Sequence, residues 1–153
     1  MIDKSKRILM IMNPKSGTMQ ASKMLSDIIQ TYSDDGYFTT VLMTQARNDA
    51  RRFAHDYSDE FETIVVSGGD GTLNEVIDGL IRSGNDCNIG YIPSGSTNDF
   101  AASVGLPKGV LESAEQVVHG EPRTLDIGSF NGRYFTYIAS FGAFTSTSYK
   151  VPQ

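Results

Sequence analysis

The sequence is poor in cysteine and in cationic residues, and it has no long apolar run. The single cysteine, Cys87, cannot form an internal disulfide, which favours a reducing, cytosolic setting. The 18 Asp and Glu residues outnumber the 13 Lys and Arg residues, and the net charge of −5 excludes an overall field that attracts nucleic acid or an anionic bilayer. No apolar run approaches the roughly 20 residues of a membrane-spanning helix, so any membrane contact is expected to be peripheral and transient.

The signatures of several other protein classes are also missing. Residues 1–7 contain no apolar segment of the kind found in a secretory signal. The G-x-x-x-x-G-K-[ST] spacing of a Walker A motif does not occur, and no Ser/His/Asp or Cys/His arrangement indicates a covalent nucleophile. The composition that is left, 39% hydrophobic and 20% charged, is typical of one globular domain with a sizeable core.

Strand-like and helix-like patterns alternate along the first 120 residues. The apolar runs predict strands at 7–13, 37–43, 62–67 and 88–92, and the helical periodicities predict helices at 18–33, 48–57, 73–81, 96–103 and 109–119. In the second helix, Ala50, Phe53, Ala54 and Tyr57 are expected to face inward. The alternation predicts an α/β fold with a doubly wound, mostly parallel sheet and helices on both faces.

The pattern changes near residues 122–124. Residues 124–130 and 133–139 form two strand-like runs, and Asn131-Gly132 between them is a strong signal for a type I′ hairpin turn. A hairpin alone is only marginally stable. We therefore expect an α/β domain over 1–123, the first hairpin of a truncated β-rich domain over 124–153, and a chain that is an N-terminal fragment.

The glycine-rich stretch 67–72 (Ser-Gly-Gly-Asp-Gly-Thr) lies between a strand and an amphipathic helix. Its glycines allow close approach of a ligand, and the first amides of the helix would point at that ligand, so the stretch predicts a nucleotide-phosphate site. Thr72 and Glu75 have capping-box spacing. Asp70, at the tip, could hold Mg²⁺ through water, bond a substrate hydroxyl or brace the turn. The alternative is a plain Asp-Gly turn.

Two more polar segments follow the first and second strands. Residues 13–18 place a glycine and small polar residues before a helix, and Lys15 is a candidate phosphate cation or simply an exposed lysine. Thr44 could contact an adenine or ribose, or only cap a helix. If the sheet is parallel, both segments share the carboxyl edge with the glycine-rich stretch, where ligands of open α/β sheets bind.

A fourth segment, 93–100, follows the last predicted strand. Ser96 or Thr97 could donate to a phosphate oxygen, and Asn98 and Asp99 could position an acceptor hydroxyl or a metal-bound water. The alternative is a polar loop in which Ser96 and Asp99 form a capping box. Asp126 is expected either to face an interdomain cleft or to be an ordinary outward-facing strand residue.

Three of these segments together resemble one family. Asn13-Pro14 with Ser16-Gly17, the stretch 68–75 and the stretch 93–101 are similar to the diacylglycerol kinase catalytic domain family, in particular to bacterial soluble lipid kinases. Ser96 stands where the family usually has Thr. The resemblance implies the fold of the NAD kinase/diacylglycerol kinase N-terminal domain and transfer of the γ-phosphate of ATP to a lipid hydroxyl, such as that of diacylglycerol, with Mg²⁺.

The resemblance and the loops together give the candidate site residues. The nucleotide-binding candidates are Asn13, Pro14, Lys15, Ser16, Gly17, Thr44, Gly68, Gly69, Asp70, Gly71, Thr72, Asn74, Ser96 and Thr97. Asp70 is the catalytic candidate, and Asn98, Asp99 and Asp126 are the candidates that position the acceptor. The family's general base and structural metal site are expected in a C-terminal part, so this chain alone is expected to be a poor enzyme.

Two alternatives stay open at this point. The first alternative is a phosphotransferase acting on a soluble dinucleotide, because the Gly-Gly-Asp-Gly-Thr element is shared with NAD kinases. The second alternative is a nucleotide-sensing module without turnover. The expected partners are ATP, a lipid acceptor of unspecified type and, briefly, a membrane surface, with no nucleic acid, and a homodimer is left open.

Overall fold

Four parallel strands form the central sheet in the computed structural model, which describes residues 2–136. They are β1 (Arg7–Met12), β2 (Phe38–Met43), β3 (Thr63–Gly68) and β4 (Asn88–Pro93), in the order β2-β1-β3-β4. Met12 lies opposite Met43 on one side and Ser67 on the other. The carboxyl ends of the strands therefore meet at one edge, where the loops that follow them are neighbours.

Six helices complete the α/β arrangement in the part of the chain that the structure describes. They are α1 (Gln20–Lys23), α2 (Leu25–Asp34), α3 (Asp49–Tyr57), α4 (Asp70–Ser83), α5 (Asp99–Val104) and α6 (Val110–His119). Short 3₁₀ turns occupy Lys4–Lys6 and Ser58–Glu60. No helix within residues 2–136 is long and apolar enough to cross a membrane.

The two central strands, β1 and β3, are buried on both faces, as expected for parallel strands, whereas the edge strand β2 is partly exposed. Leu9 and Ile11 of β1 pack in one core cluster with residues of α3 and α4, such as Ala54 and Val76. Ile8, Met10 and Met12 point the other way, into a cluster with residues of α2 and α6. This alternation confirms the predicted fold with helices on both faces.

Two helix predictions need correction. The helix expected over 18–33 is interrupted at Met24, whose φ and ψ of −99° and 14° lie outside the helical range. The Ser22 hydroxyl donates to the Pro14 carbonyl oxygen over 3.3 Å, which ties the short α1 to the loop after β1. Tyr57, expected to face inward, is 43% exposed, because α3 ends there and the chain continues into a 3₁₀ turn.

The predicted hairpin is present but shorter. Strands β5 (Gly128–Phe130) and β6 (Arg133–Phe135) are antiparallel, and Asn131 and Gly132 both have positive φ, of 49° and 73°, as a type I′ turn requires. Residues 124–127 form no strand, and residues 137–139 of the expected second strand lie outside the described residues. Strand β6 packs against α4, and the domain boundary near 122–124 stays a prediction.

Candidate functional site

Three loops meet at the carboxyl edge of the sheet. The first loop (13–19) follows β1, the second (68–72) follows β3 and leads into α4, and the third (93–98) follows β4. The Asn13 N–H donates to the Ser67 carbonyl oxygen over 2.8 Å, and the Ser94 N–H donates to the Gly68 carbonyl oxygen over 2.9 Å. These bonds extend the strand pairing and fix the loops relative to one another.

Glycines bring the backbones of the three loops into contact. A Cβ on Gly17, whose φ is +51°, would lie 2.4 Å from the Ser94 carbonyl oxygen. A Cβ on Gly95 would lie 2.5 Å from the Gly69 Cα. Any side chain at these positions would force the loops apart, because a backbone atom cannot move aside as a flexible side chain can.

Helix α4 begins three residues earlier than the periodicity predicts. Its first residue is Asp70, its N-cap is Gly69 in an extended conformation, and Thr72 lies inside the first turn. The predicted capping box of Thr72 and Glu75 is therefore wrong: Gly69 offers no capping side chain, and the Glu75 carboxylate accepts the N–H of Asn48 instead. The first amides of α4 therefore have no side-chain cap from the N-cap residue, and the position of a Cβ on Gly71 has open space around it.

Asp70 joins the second loop to the third. Its carboxylate accepts the N–H of Asp99 over 2.9 Å and the N–H of Phe100 over 3.3 Å, at the start of α5. Burial, with the nearby Asp70 carboxylate as a further cause, raises the pKa of Tyr91, which stays protonated at neutral pH. Of the three roles expected for Asp70, bracing is the one that these contacts display.

The third loop is closed by its own asparagine. Asn98 takes the left-handed conformation with φ of 53°, its Oδ1 accepts the Gly95 N–H over 2.8 Å, and its Nδ2 donates to the Gly95 carbonyl over 3.0 Å. Helix α5 then starts at Asp99 rather than at 96. The predicted Ser96–Asp99 capping box is wrong, because Asn98 is the N-cap, and Ser96 and Thr97 lie exposed at the loop tip.

Three polar side chains of the first loop differ in exposure: Asn13 is half-buried, Ser16 is buried and Lys15 is exposed. Asn13 accepts the Lys15 N–H at its Oδ1 over 3.1 Å and reaches the Thr72 hydroxyl with its Nδ2 over 3.5 Å. Ser16 is buried against the second loop, since a Cβ added to Gly69 would lie 3.7 Å from the Ser16 hydroxyl oxygen. Lys15 is exposed beside these contacts.

Two serine hydroxyls at this edge were missed by sequence reasoning. Ser67, fully buried at the end of β3, and Ser94, just after β4, have buried Oγ atoms with no hydrogen-bond partner among the described residues. Buried hydroxyls are normally paired, with protein, water or ligand. Ser67 lies one residue before the end of β3 and Ser94 one residue after the end of β4, so the signal that could have found them is a serine next to the end of an otherwise apolar strand.

The other candidates lie outside the three loops. Thr44 follows β2, and its N–H donates to the Met12 carbonyl oxygen over 2.9 Å. Asn74 accepts the N–H and the hydroxyl of Thr136 over 3.1 and 3.0 Å, so it contacts the end of the hairpin. Asp126 lies in the exposed segment 121–127. No group of three His, Cys, Asp or Glu side chains suited to a metal occurs in residues 2–136.

Comparison with known proteins identifies the family. Residues 7–130 match the model described as diacylglycerol kinase catalytic domain, and the chain belongs to this family. It is 41% identical over 149 residues to a diacylglycerol kinase of Bacillus subtilis (strain 168), covering 96% of this chain and 49% of that protein. It is 35% identical over 146 residues to a diacylglycerol kinase of Staphylococcus carnosus (strain TM300), covering 95% of this chain and 48% of that protein.

A solved structure agrees with the fold. The crystal structure of a diacylglycerol kinase from Bacillus anthracis str. Sterne matches with a TM-score of 0.79 at 28% identity, over 88% of this chain and 47% of that one. The match confirms the predicted NAD kinase-like α/β fold. The chain spans about half the length of the curated relatives it matches.

Proposed function

We propose that this chain carries the nucleotide site of an ATP-dependent lipid kinase, which transfers the γ-phosphate to a hydroxyl of a diacylglycerol-like acceptor. The observation that carries the proposal is the backbone contact of three loops at the start of α4. Gly17 and Gly95 make this contact possible. Membership of a family whose relatives are named diacylglycerol kinases supports a lipid acceptor over NAD.

The phosphates of ATP are assigned to the amides at the start of α4. Unpaired N–H groups and the dipole of a helix both favour an anion at its N-terminus. Gly71 leaves space in front of this turn, and the exposed Lys15 supplies a nearby cation. Such a local site is needed, because the protein as a whole carries a net charge of −5.

Magnesium is assigned to the same region. Asp70 and Asp99 offer the carboxylate oxygens that Mg²⁺ prefers, and each Asp70 oxygen accepts one backbone N–H. These two carboxylates would therefore hold a Mg²⁺ ion that binds together with ATP. Such an ion would neutralise the charge that develops on the transferred phosphoryl group.

The acceptor hydroxyl is assigned to the side of the third loop. Asp99 is exposed at the start of α5, where it can face an acceptor, while Asn98 holds the loop in shape. Asp126 joins them in the proposal as an exposed carboxylate preceding the hairpin. A lipid acceptor requires brief contact with a membrane surface, and we place the enzyme in the cytoplasm.

The general base is assigned to a part of the protein outside this chain, in keeping with a match to half of each relative. Loss of a general base typically lowers the rate by ~10²–10⁴-fold. We therefore expect the 153-residue chain to bind ATP but to turn over slowly or not at all.

The test is a phosphorylation assay with radiolabelled ATP and Mg²⁺, on the full-length protein and on this chain. Diacylglycerol in mixed micelles, NAD and buffer alone are the acceptors. Labelled lipid from the full-length protein is expected, with loss of product in Asp70→Asn and normal product in Asp59→Asn, an exposed aspartate in the turn before β3. Label only in the dinucleotide, or no product with any acceptor, would contradict the proposal.

A further inference from the structure

The loop that joins β2 to α3 is held by two carboxylates. The Asp49 Oδ2 accepts the N–H groups of Gln45 and Ala46, each over 2.8 Å. The Glu75 Oε1 accepts the N–H of Asn48 over 3.1 Å. Three backbone donors of the segment 44–48 are therefore occupied by side chains, and they are not available to a phosphate.

The two carboxylates connect this segment to different parts of the molecule. Asp49 is local: the bonds from Gln45 and Ala46, followed by the charge of Arg52, lower the pKa of its carboxyl, so it is ionised at neutral pH. Glu75 belongs to the second turn of α4, the helix whose first turn forms part of the second loop. Glu75 thus links the segment after β2 to the proposed phosphate site.

The backbone of Asn48 has a defined conformation at the point where Glu75 binds it. Asn48 has a φ of 69°, in the left-handed region, which asparagine adopts more readily than most residues with a side chain. The bond from its N–H to Glu75 constrains this residue. Thr44, at the other end of the segment, is fixed by its N–H bond to the Met12 carbonyl oxygen.

We propose that Glu75 is a positioning residue for the nucleotide: it sets the distance between the segment 44–48 and α4, and so the width of the nucleotide site beside Thr44. The inference rests on the proposed function. Glu75 itself need not touch ATP. Its effect is exerted through the backbone of Asn48, because the N–H groups of Gln45, Ala46 and Asn48 are already paired within the protein.

Loss of the Glu75 carboxylate should loosen the segment without separating the helices. A second link between α3 and α4 is independent of it: Arg51 pairs with Asp78 over 3.4 Å. The helices also pack closely, since a Cβ on Gly79 would lie 2.2 Å from the Arg51 carbonyl oxygen. The fold should therefore survive the substitution, and the change should be confined to 44–48.

The experiment compares Glu75→Ala, Glu75→Gln and the control Glu115→Ala, at an exposed position of α6, in the full-length protein. Amide hydrogen exchange of residues 45–48 and the KM and kcat for ATP are measured. Glu75→Ala should speed exchange at Asn48 and raise KM about tenfold with little change in kcat, the loss expected for one charge-assisted hydrogen bond. The amide oxygen of Glu75→Gln can still accept a hydrogen bond, so its exchange rate and its KM should lie between those of wild type and Glu75→Ala. The control should match wild type in both.

Each other outcome has a distinct meaning. Faster exchange with an unchanged KM would overturn the inference and leave the kinase proposal intact. Unchanged exchange in both Glu75 variants would show that the carboxylate does not hold the segment. A wild-type protein that neither binds nor uses ATP would overturn the proposed function, and the positioning role with it.

Discussion

The carboxylate of Asp70, the first residue of α4, accepts the backbone N–H of Asp99, the first residue of α5, over 2.9 Å. The two residues are far apart in the sequence, and through this bond the side chain of the first residue of α4 caps the start of α5. A side chain that caps a helix stabilises the protein whether or not it also takes part in chemistry. Substitution of Asp70 therefore has a structural effect that has to be measured separately from its effect on activity.

Replacement of Asp70 by Ala should lower both stability and activity. The N–H groups of Asp99 and Phe100 lose their acceptor, and loss of a capping side chain costs about 0.5–2 kcal/mol. Urea denaturation followed by circular dichroism measures this loss in the free energy of unfolding. Asp70→Asn keeps one acceptor oxygen, so it should retain more stability while still losing phosphorylated product. Equal stability of Asp70→Ala and wild type would refute the capping role.

Replacement of Gly17 by Ala should disrupt the contact between the first and third loops. The new Cβ would lie 2.4 Å from the Ser94 carbonyl oxygen, and Gly17 also has a positive φ. Gly36→Ala is the matched control, because Gly36 has a φ of +80° but nothing within 4 Å of the added atom. Both variants incur the backbone strain, so Gly17→Ala should be less stable than Gly36→Ala by about 1–3 kcal/mol.

The same pair of variants tests whether the loop contact matters for binding. Nucleotide affinity, measured by calorimetry with an ATP analogue and Mg²⁺, should fall in Gly17→Ala and stay at the wild-type level in Gly36→Ala. If both variants bind as the wild type does, the contact between Gly17 and Ser94 is not part of the nucleotide site.

Acid should weaken the packing of α3, α4 and the hairpin through Asp78. Burial alone would raise the pKa of Asp78, but its hydrogen bonds and ion pairs with Arg82 and Arg51 outweigh burial and hold it below the ordinary value of 3.8. Arg82 also donates to the Gly132 carbonyl oxygen in the hairpin turn. Because the folded pKa is lowered, the stabilisation is complete well above 3.8 and is lost as the pH falls from there through the folded pKa.

Asp78→Asn isolates this contribution. At neutral pH the variant should be less stable than wild type by about 1–2 kcal/mol, since both guanidinium groups are half exposed. The difference should shrink as the pH is lowered below 3.8, because wild-type Asp78 then becomes neutral too. Urea unfolding of both proteins across this pH range measures the difference in their free energies of unfolding. A difference that grows as the pH falls would contradict the stabilising role of ionised Asp78.

Cys87 should react slowly with thiol reagents in the folded protein. Burial, helped by nearby acidic residues, raises the pKa of its thiol, and Sγ contacts the carbonyl oxygens of Ser58 and Phe61 over 3.0 and 3.1 Å. The thiolate is the reactive form. Reaction with a disulfide reagent at neutral pH should be at least about tenfold slower in native protein than in urea. Equal rates would show that Cys87 is accessible and ionised.

Features decided by short stretches of sequence were predicted well. The apolar runs gave the four parallel strands, and Asn131-Gly132 gave the hairpin, because the turn type depends on which residues tolerate positive φ. The grouping of the three loops followed from parallel strands sharing one carboxyl edge. Each of these features depends on periodicity or on backbone conformation near the residues concerned.

Features decided by distant contacts were not predicted. Capping boxes were expected at Thr72 and Ser96. Instead, the Asp70 carboxylate accepts the first N–H of α5, and the Glu75 carboxylate accepts the N–H of Asn48. No local spacing in the sequence reveals such pairs. The interruption of the predicted helix at Met24 accompanies the hydrogen bond from the Ser22 hydroxyl to the first loop. The buried hydroxyls of Ser67 and Ser94 depend on how the loops cover the sheet edge, which strand periodicity does not describe.

The central claim is that the first turn of α4 binds the terminal phosphates of ATP. The most direct measurement is a crystal structure of the protein with a non-hydrolysable ATP analogue and Mg²⁺. We predict phosphate oxygens within hydrogen-bond distance of the backbone N–H groups of residues 69–72, between the first and third loops. A fully occupied nucleotide bound elsewhere, with those amides facing only protein or solvent, would contradict the account.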